Sequence, residues 1–170
     1  RWYRAAIAQG DTDAMHNLAI IYLKGDGAEK DETEAVRLWK KAADLGDATS
    51  MSQLGAMSYW GTGIDKDLGA ALRWWRKAAD KGDAGAMFFL GLMYETGEGV
   101  AVDDAEALKW IRKAAAKDDA NAMVNMGVRY ISGKGVPREP RQARRWWQAA
   151  ADKGDGDAMY FLGMLFSDGD

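Results

Sequence analysis

The chain has no cysteine, one histidine and only two prolines among its 170 residues. The absence of cysteine excludes disulfides and any catalytic or metal site built on a thiolate. A Ser/His/Asp triad would have to use His16, which lies at a variable position of the repeat described below. A groove or surface role suits such a histidine better than catalysis. We therefore expect that the protein is not an enzyme and that it uses no metal and no cofactor.

Long apolar runs and a strong excess of one charge are also missing. No run of about 18 apolar residues occurs, so we expect no membrane-spanning segment. The net charge of -3 gives no reason to expect nucleic-acid binding. Because the chain starts at Arg1, we expect a fragment of a longer protein. No targeting signal is visible in it, which leaves the bacterial periplasm and the cytoplasm as compartments.

The sequence repeats with a period of 36 residues and without insertions. One methionine marks each unit, and a Gly-x-Gly pair follows it. The methionines are Met15, Met51, Met87, Met123 and Met159, and the first glycines of the pairs include Gly25, Gly61, Gly97 and Gly133. A period of this length indicates stacked supersecondary units. We predict one domain, 1–170, in which four full repeats, 11–46, 47–82, 83–118 and 119–154, lie between a second helix, 1–10, and a first helix, 155–170.

Each repeat is predicted to form two helices. In the first full repeat Met15, Leu18, Ala19 and Tyr22 are spaced by three and four residues, which makes one helical stripe. A second helix follows, with alanines around a tryptophan such as Trp39. The small Ala or Gly in the middle of each first helix should let the neighbouring helix approach closely. The fold class is therefore predicted to be all-α, built of antiparallel helix pairs.

These residues resemble a known family. The resemblance is carried by the run from Ala86 to Tyr94, the turn Gly97-Glu98-Gly99-Val100, and then Ala107, Trp110 and Lys113-Ala114-Ala115. This pattern is similar to the Sel-one-like repeat (SLR) family, a relative of the tetratricopeptide repeat, and it recurs in every unit. The resemblance implies a right-handed α-solenoid that acts as an adaptor or scaffold. Some bacterial members resemble immunity proteins that block toxins, and others assist secretion or envelope assembly.

A partner-binding surface is predicted on the first helices, which by analogy with tetratricopeptide repeats should line the concave face. The two residues after each repeating methionine vary between repeats, so the shared packing does not fix them. The predicted binding residues at these positions are His16, Asn17, Gln53, Phe88, Phe89, Asn125, Tyr160 and Phe161. The amides suit the backbone of an extended peptide, because an amide both donates and accepts. The aromatic side chains would provide apolar pockets.

Tyr59 and Trp60 break the repeat and are added to the predicted partner-binding residues. One interpretation is a local shift in which Tyr59 supplies the aromatic ring that is missing at Ser58, where other repeats have tyrosine. The other is an exposed aromatic pair at the rim of the groove. Arg129 is also unusual, since it places a charge where other repeats place an apolar side chain.

The function predicted from the sequence is a scaffold that binds a protein or peptide on its concave face, with further contacts possible through the ends of the array. A basic stripe on the second helices, which includes Arg112 and Arg145, is interpreted as a solvated outer face. One alternative is an immunity-type inhibitor of an enzyme or toxin. Another is a carbohydrate- or envelope-binding module that uses exposed aromatics such as Trp60.

Overall fold

The computed structural model describes residues 2–167, which form ten helices and no strand. Arg1, at the start of the predicted second helix 1–10, and residues 168–170, at the end of the predicted first helix 155–170, lie outside the described residues. The helices are α1 Trp2–Ala8, α2 Thr12–Lys24, α3 Glu32–Asp44, α4 Ala48–Trp60, α5 Leu68–Asp80, α6 Ala84–Thr96, α7 Asp104–Ala115, α8 Ala120–Ser132, α9 Pro140–Ala151 and α10 Gly156–Ser167. The predicted all-α fold class is confirmed, with α2, α4, α6, α8 and α10 as the first helices of their repeats.

The helices pack into two compact units, residues 1–86 and residues 87–170. The first unit holds α1 to α5, and the second holds most of α6 and all of α7 to α10. In each unit the first helix of a repeat packs against the second helix of the same repeat, as α4 does against α5 and α8 against α9.

Aspartate side chains cap the N-termini of most of the helices. Before each first helix an aspartate oxygen accepts a hydrogen bond of 2.6–2.8 Å from the backbone N–H three residues ahead. Asp31, Asp67 and Asp103 do the same before α3, α5 and α7. Glu139, at the equivalent position before α9, makes no such bond. There Pro140 occupies the first turn, where its missing N–H removes one donor that would need a partner.

The first helices end at glycines in the left-handed conformation. Gly25, Gly61 and Gly133 have φ values of 78°, 73° and 78°, a region that other residues adopt only at some energetic expense. Asp118 takes the same conformation, with φ 66°, where other repeats place a glycine after the second helix. Aspartate tolerates this conformation better than most residues, because its short side chain bonds locally.

In the second and fourth full repeats a core tryptophan lies directly on the backbone of the first helix, and in the third repeat Ile111 lies there against Gly91. A Cβ atom added at Gly55 would overlap the indole of Trp75, and one added at Gly127 would overlap that of Trp147. Each indole is buried and donates to a main-chain oxygen of that first helix, at 3.1 Å for Trp75 and 3.2 Å for Trp147. The predicted role of the small mid-helix residue is therefore confirmed. The contact holds each first helix firmly against its second helix.

Among residues 2–167, no helix is long and apolar enough to cross a lipid bilayer. The same residues contain no cluster of His, Asp and Glu side chains arranged to hold a metal ion.

Candidate protein-interaction surface

The candidate surface comprises the side chains one, two and five positions after each repeating methionine, and we call it the first-helix face. In residues 1–86 it consists of His16, Asn17, Ile20, Ser52, Gln53 and Ala56. In residues 87–165 it consists of Phe88, Phe89, Leu92, Val124, Asn125, Val128, Tyr160, Phe161 and Met164. Eight of the ten predicted binding residues lie on this face, and Tyr59 and Trp60 end α4.

The first-helix face of residues 1–86 is largely polar, and parts of it are tied to the scaffold. His16 is half-buried, and its Nδ1 accepts a hydrogen bond of 3.2 Å from the indole of Trp39. Ser52 donates to the helix-capping carboxylate of Asp83, at 3.1 Å. Asn17 is exposed and Gln53 is half-buried. Of the two predicted amides in this unit, Asn17 is therefore the more accessible.

In the first full repeat His16 accepts the indole hydrogen bond that a main-chain carbonyl accepts in the second and fourth repeats. The indoles of Trp75 and Trp147 donate to the carbonyl oxygens of Ser52 and Val124, the residues equivalent to His16. In the first repeat the imidazole nitrogen accepts the bond instead. This contact gives His16 a packing role, which the sequence pattern did not reveal.

Tyr59 and Trp60 differ sharply in exposure. Tyr59 is half-buried, with its ring 5.6 Å from the ring of the core residue Trp75 and 4.5 Å from that of Trp60. The ammonium of Lys66 lies 5.5 Å from the Tyr59 centroid, which is cation–π distance. Trp60 is 66% exposed. Each interpretation therefore fits one residue: Tyr59 fills space against the core, and Trp60 is accessible.

The first-helix face of residues 87–165 is mainly apolar. Phe89 on α6, Val128 on α8, and Tyr160 and Met164 on α10 are between 37% and 65% exposed. Single exposed apolar side chains are ordinary on protein surfaces, but a group of them indicates an interaction site. Phe88 lies against Phe89 with ring centroids 5.9 Å apart. These predicted aromatics thus lie on the more apolar of the two first-helix faces.

An apolar cleft lies between α8 and α10 and has Trp147 in its wall. Phe161 stacks on Trp147, with centroids 4.9 Å apart and planes at 15°, so this predicted residue is half-buried in the cleft wall. The cleft has a volume of about 220 Å³ and is lined by Val128, Ile131, Trp147, Phe161, Met164 and Leu165. A larger depression of about 540 Å³ beside the start of α9 has four charged side chains in its lining. We favour the smaller cleft as a site, because ligand pockets are mostly apolar with few polar groups.

Asn125 is the polar residue on this apolar face, and it belongs to a partly buried network. Its Oδ1 accepts a hydrogen bond of 2.8 Å from Nε of Arg129, which is only 2% exposed. Nη2 of Arg129 lies 3.1 Å from Glu95 but is out of line for a hydrogen bond, so charge attraction holds this pair. Lys134 reaches the same carboxylate oxygen at 2.6 Å. Arg129 therefore does place a charge among core positions, with a carboxylate beside it.

Sequence reasoning missed the partner of Arg129 and the walls of the cleft. Glu95 stands where other repeats have Leu23, Tyr59 and Ile131, so two unusual charges of opposite sign occur in consecutive repeats. This paired departure from the pattern was a usable signal. Val128 and Met164 occupy a position that is apolar in every repeat, which concealed their exposure.

Some of the basic side chains on the second helices pair with carboxylates of the same helix. Arg37 donates two hydrogen bonds to Glu34, at 2.6 and 2.7 Å, and these hold the pKa of Glu34 below its usual value. Lys109 pairs with Glu106 at 2.6 Å and likewise lowers the pKa of that carboxyl. The ammonium of Lys113 lies 4.2 Å from the centroid of Trp110. These contacts are those of a solvated outer face.

The ten helices of residues 2–167, arranged in repeating pairs, define an all-α helical-repeat protein of the solenoid class. The Sel1 repeat family model matches residues 1–11, 12–47, 48–83, 84–119, 120–155 and 156–170. The chain therefore belongs to the Sel1 repeat family. A search of curated proteins finds no match.

Solved structures of the same family are similar over most of the chain. One is a protective antigen present in uropathogenic Escherichia coli strains, with an SLR fold, 31% identity and a TM-score of 0.85 over 99% of this chain and 36% of that one. A Sel1 repeat protein from Oxalobacter formigenes has 36% identity and a TM-score of 0.84, over 90% of this chain and 62% of the other. The chain thus spans less than two thirds of the length of both relatives.

A third similar structure is an immunity protein from Pseudomonas aeruginosa. It is 27% identical, with a TM-score of 0.67 over 94% of this chain and 59% of that chain. The Sel1 repeat fold is commonly a protein-interaction scaffold and is generally not catalytic.

Proposed function

We propose that the chain is a non-catalytic protein-interaction module that binds a partner protein on the first-helix face of residues 87–165. The observation that carries the proposal is the group of exposed apolar side chains on three consecutive first helices, beside an apolar cleft. Phe89, Val128, Tyr160 and Met164 are exposed there. Covering them with a partner would remove apolar area from water, at roughly 25 cal/mol for each Å².

The scaffold beneath this face favours binding because it is already ordered. Trp147 is buried, lies against the backbone at Gly127 and donates to the carbonyl of Val124 on α8. A face held in this way loses little conformational freedom when a partner binds, so more of the contact energy appears as affinity. In this proposal the tryptophan contacts keep the face ordered, and the exposed apolar side chains contact the partner.

A comparison of two sets of surface variants tests the proposal by affinity capture from a lysate of the source organism. The first set combines Phe89→Ala, Val128→Ser and Tyr160→Ala on the first-helix face. The control set combines Arg112→Ala and Arg145→Ala, which are exposed on second helices of the same unit. Thermal unfolding is measured for both sets, so that loss of binding is not confused with loss of structure.

We expect a protein that the unmodified chain and the control set retain and that the first set loses at least tenfold. The reason is that a few central aromatic and apolar side chains carry most of the energy in an interface. Retention by the first set and loss from the control set would place the site on the second helices and overturn the proposal.

A dedicated inhibitor of an enzyme or toxin is a narrower form of the same function. It is favoured by the similarity to the Pseudomonas aeruginosa immunity protein. An inhibitor of this kind should form a tight complex of one copy with one partner, and that complex should abolish the partner's activity. Light scattering of the purified complex and an activity assay of the captured protein would separate this function from a general scaffold.

Carbohydrate binding is a second candidate, favoured by the exposure of Trp60. Its indole is 66% exposed, and aromatic faces are common contacts for sugar rings. Tryptophan fluorescence during titration with envelope glycans should change for the unmodified chain and for Trp2→Ala, and should not change for Trp60→Ala. Trp2 is a matched control, because its side chain is also exposed. Equal responses from the two variants would exclude a site at Trp60.

A further inference from the structure

A cavity lies between α1, α2 and α3 in the unit formed by residues 1–86. It has a volume of about 480 Å³, within the range of roughly 300–1,000 Å³ that is usual for small-molecule pockets. Its apolar wall includes Ile7 on α1, Leu18 on α2 and Leu38 on α3. The residues that line it lie between positions 4 and 41, and none of them belongs to the first-helix face.

The cavity lies where the first full repeat departs from the other three. At the position of Leu38 the other repeats have a tryptophan, namely Trp74, Trp110 and Trp146. Because the helix pairs repeat with one period, the smaller leucine leaves unfilled a space that an indole takes in the other repeats. Leu18, in the same wall, is only half-buried, whereas its equivalents Leu54 and Leu90 are fully buried. The core of the first repeat is therefore open to a ligand.

A lysine that lies over this indole in two other repeats is present here without it. The ammonium of Lys77 lies 4.6 Å from the ring centroid of Trp74. That of Lys113 lies 4.2 Å from the centroid of Trp110. Lys41 occupies the equivalent position and lines the cavity, and within residues 2–167 it contacts no aromatic ring and no carboxylate. An aromatic ring in the cavity would meet the same cation that the tryptophans meet in those repeats.

Positive charge exceeds negative charge around the cavity. Glu34 accepts two hydrogen bonds from Arg37, at 2.6 and 2.7 Å, so these two charges offset each other. The remaining charged groups of the lining are Arg4 and Lys41, both exposed to solvent. The phenolic oxygen of Tyr22 accepts a long hydrogen bond of 3.5 Å from Nη2 of Arg4. Two cations without a matching carboxylate favour an anionic group on the ligand.

We propose that this cavity binds a small aromatic anion, with its ring in the space that the missing indole leaves and its anionic group facing Arg4 and Lys41. The three sister repeats indicate the ring, because each supplies an indole at this position from its own chain. The two cations indicate the charge. The volume of about 480 Å³ is ample, since a cavity of roughly 150 Å³ accommodates benzene.

Three probes test the proposal by nuclear magnetic resonance titration of the isotope-labelled chain. Indole-3-acetate has both features, indole-3-acetamide lacks the charge, and cyclohexylacetate lacks the aromatic ring. Indole-3-acetate should shift the methyl signals of Ile7, Leu18 and Leu38 with one common dissociation constant. The amide should bind roughly three- to tenfold more weakly at low salt, and salt should reduce the difference. Cyclohexylacetate should bind roughly two- to fivefold more weakly, the worth of one cation–π contact.

Leu38→Trp supplies the indole of the other repeats from within the chain. It should abolish the shifts at Ile7 and Leu18 and raise the melting temperature, because the new side chain fills the cavity. A second variant combines Leu38→Trp with Ile7→Ala, since the other repeats have an alanine at the position of Ile7, namely Ala43, Ala79 and Ala115. This variant keeps the test decisive if the new indole clashes with the isoleucine.

Lys41→Gln and Lys40→Gln form a matched pair that tests the charge. Both lysines are exposed on α3, and only Lys41 lines the cavity. Lys41→Gln should bind indole-3-acetate roughly three- to tenfold more weakly, and Lys40→Gln should bind it as the unmodified chain does. Thermal unfolding of both variants shows that the fold is kept.

Three results would overturn the proposal. One is the absence of any shift at Ile7, Leu18 or Leu38 up to the solubility limit of indole-3-acetate. Another is undiminished binding by both variants that carry Leu38→Trp, which would place the probe elsewhere. The third is equal affinity for indole-3-acetate and its amide, together with equal binding by Lys41→Gln and Lys40→Gln. The cavity would then suit a neutral aromatic side chain of a partner protein and not a small anion.

Discussion

Helices α4 and α8 are equivalent first helices in different units, and their comparison separates the scaffold from the surface. Both have 13 residues, and both begin after a capping aspartate and end at a left-handed glycine. In both, the mid-helix glycine accommodates an indole, at Gly55 for Trp75 and at Gly127 for Trp147. The aspartate cap and the left-handed glycine recur at α2 as well. The residues that recur with the sequence period therefore specify where the helices begin and end and how they pack.

The two helices differ at positions that the shared packing does not fix. Helix α4 buries the hydroxyl groups of Ser50 and Ser58 without a hydrogen-bond partner. At the position of Ser50, α8 has an alanine, Ala122, and it buries Arg129 where α4 has Met57. A residue that differs from the repeat pattern, such as Arg129, therefore marks a property that one unit has and the other lacks.

The largest expected effect is on the shared scaffold. Trp75→Ala and Trp147→Ala should each lower the free energy of unfolding by about 3–5 kcal/mol, because each removes a buried indole and leaves a cavity. Denaturant unfolding of the two variants measures this. Similar losses would support one scaffold in both units, and a loss confined to one of them would break the comparison.

The close contact between glycine and indole should be nearly as sensitive. Gly55→Ala and Gly127→Ala should each destabilise by about 1–3 kcal/mol, since the new methyl group overlaps an indole that has no room to move. Gly163→Ala on α10 is the matched control, because no atom lies within 4 Å of its added Cβ. That control should be neutral or slightly stabilising, as alanine favours a helix. Melting temperatures of the three variants decide the point.

Asn17 and Asn125 occupy equivalent positions and should respond differently to alanine. Asn125→Ala should reduce the free energy of unfolding by about 1–3 kcal/mol, because it leaves Nε of the buried Arg129 without its acceptor. Asn17→Ala, at an exposed site, should change it by less than about 0.5 kcal/mol. Chemical denaturation distinguishes them. Equal, small effects would show that the Arg129 network contributes nothing to stability.

The smallest expected effect has the opposite sign. Ser50→Ala should stabilise the chain by about 1 kcal/mol, because it removes a buried hydroxyl that has no partner and introduces a better helix former. The reverse change, Ala122→Ser on α8, should destabilise it. Differential scanning calorimetry of both variants checks the pair. A loss of stability in Ser50→Ala would mean that the hydroxyl has a favourable partner after all.

The sequence predicts the helix pairs and the close approach at the small mid-helix residue, such as Gly55, because each recurs at a fixed period. Features that depend on one repeat alone are harder to predict. The bond from Trp39 to His16 depends on which of two acceptors the indole reaches, a matter of side-chain geometry. The Glu95–Arg129 pair joins residues of different repeats, and their distance follows only from the packed helices. The exposure of Trp60 likewise depends on how Tyr59 fills the adjacent space.

The most direct test of the central claim is photo-crosslinking in a lysate of the source organism. A benzophenone amino acid is placed at Val128 on the first-helix face or at Arg145 on a second helix, both exposed sites of the same unit. Our account predicts a covalent adduct of one defined mass from position 128 and little from position 145. An adduct that forms from position 145 and not from position 128 would contradict it, because the partner would then contact the opposite set of helices.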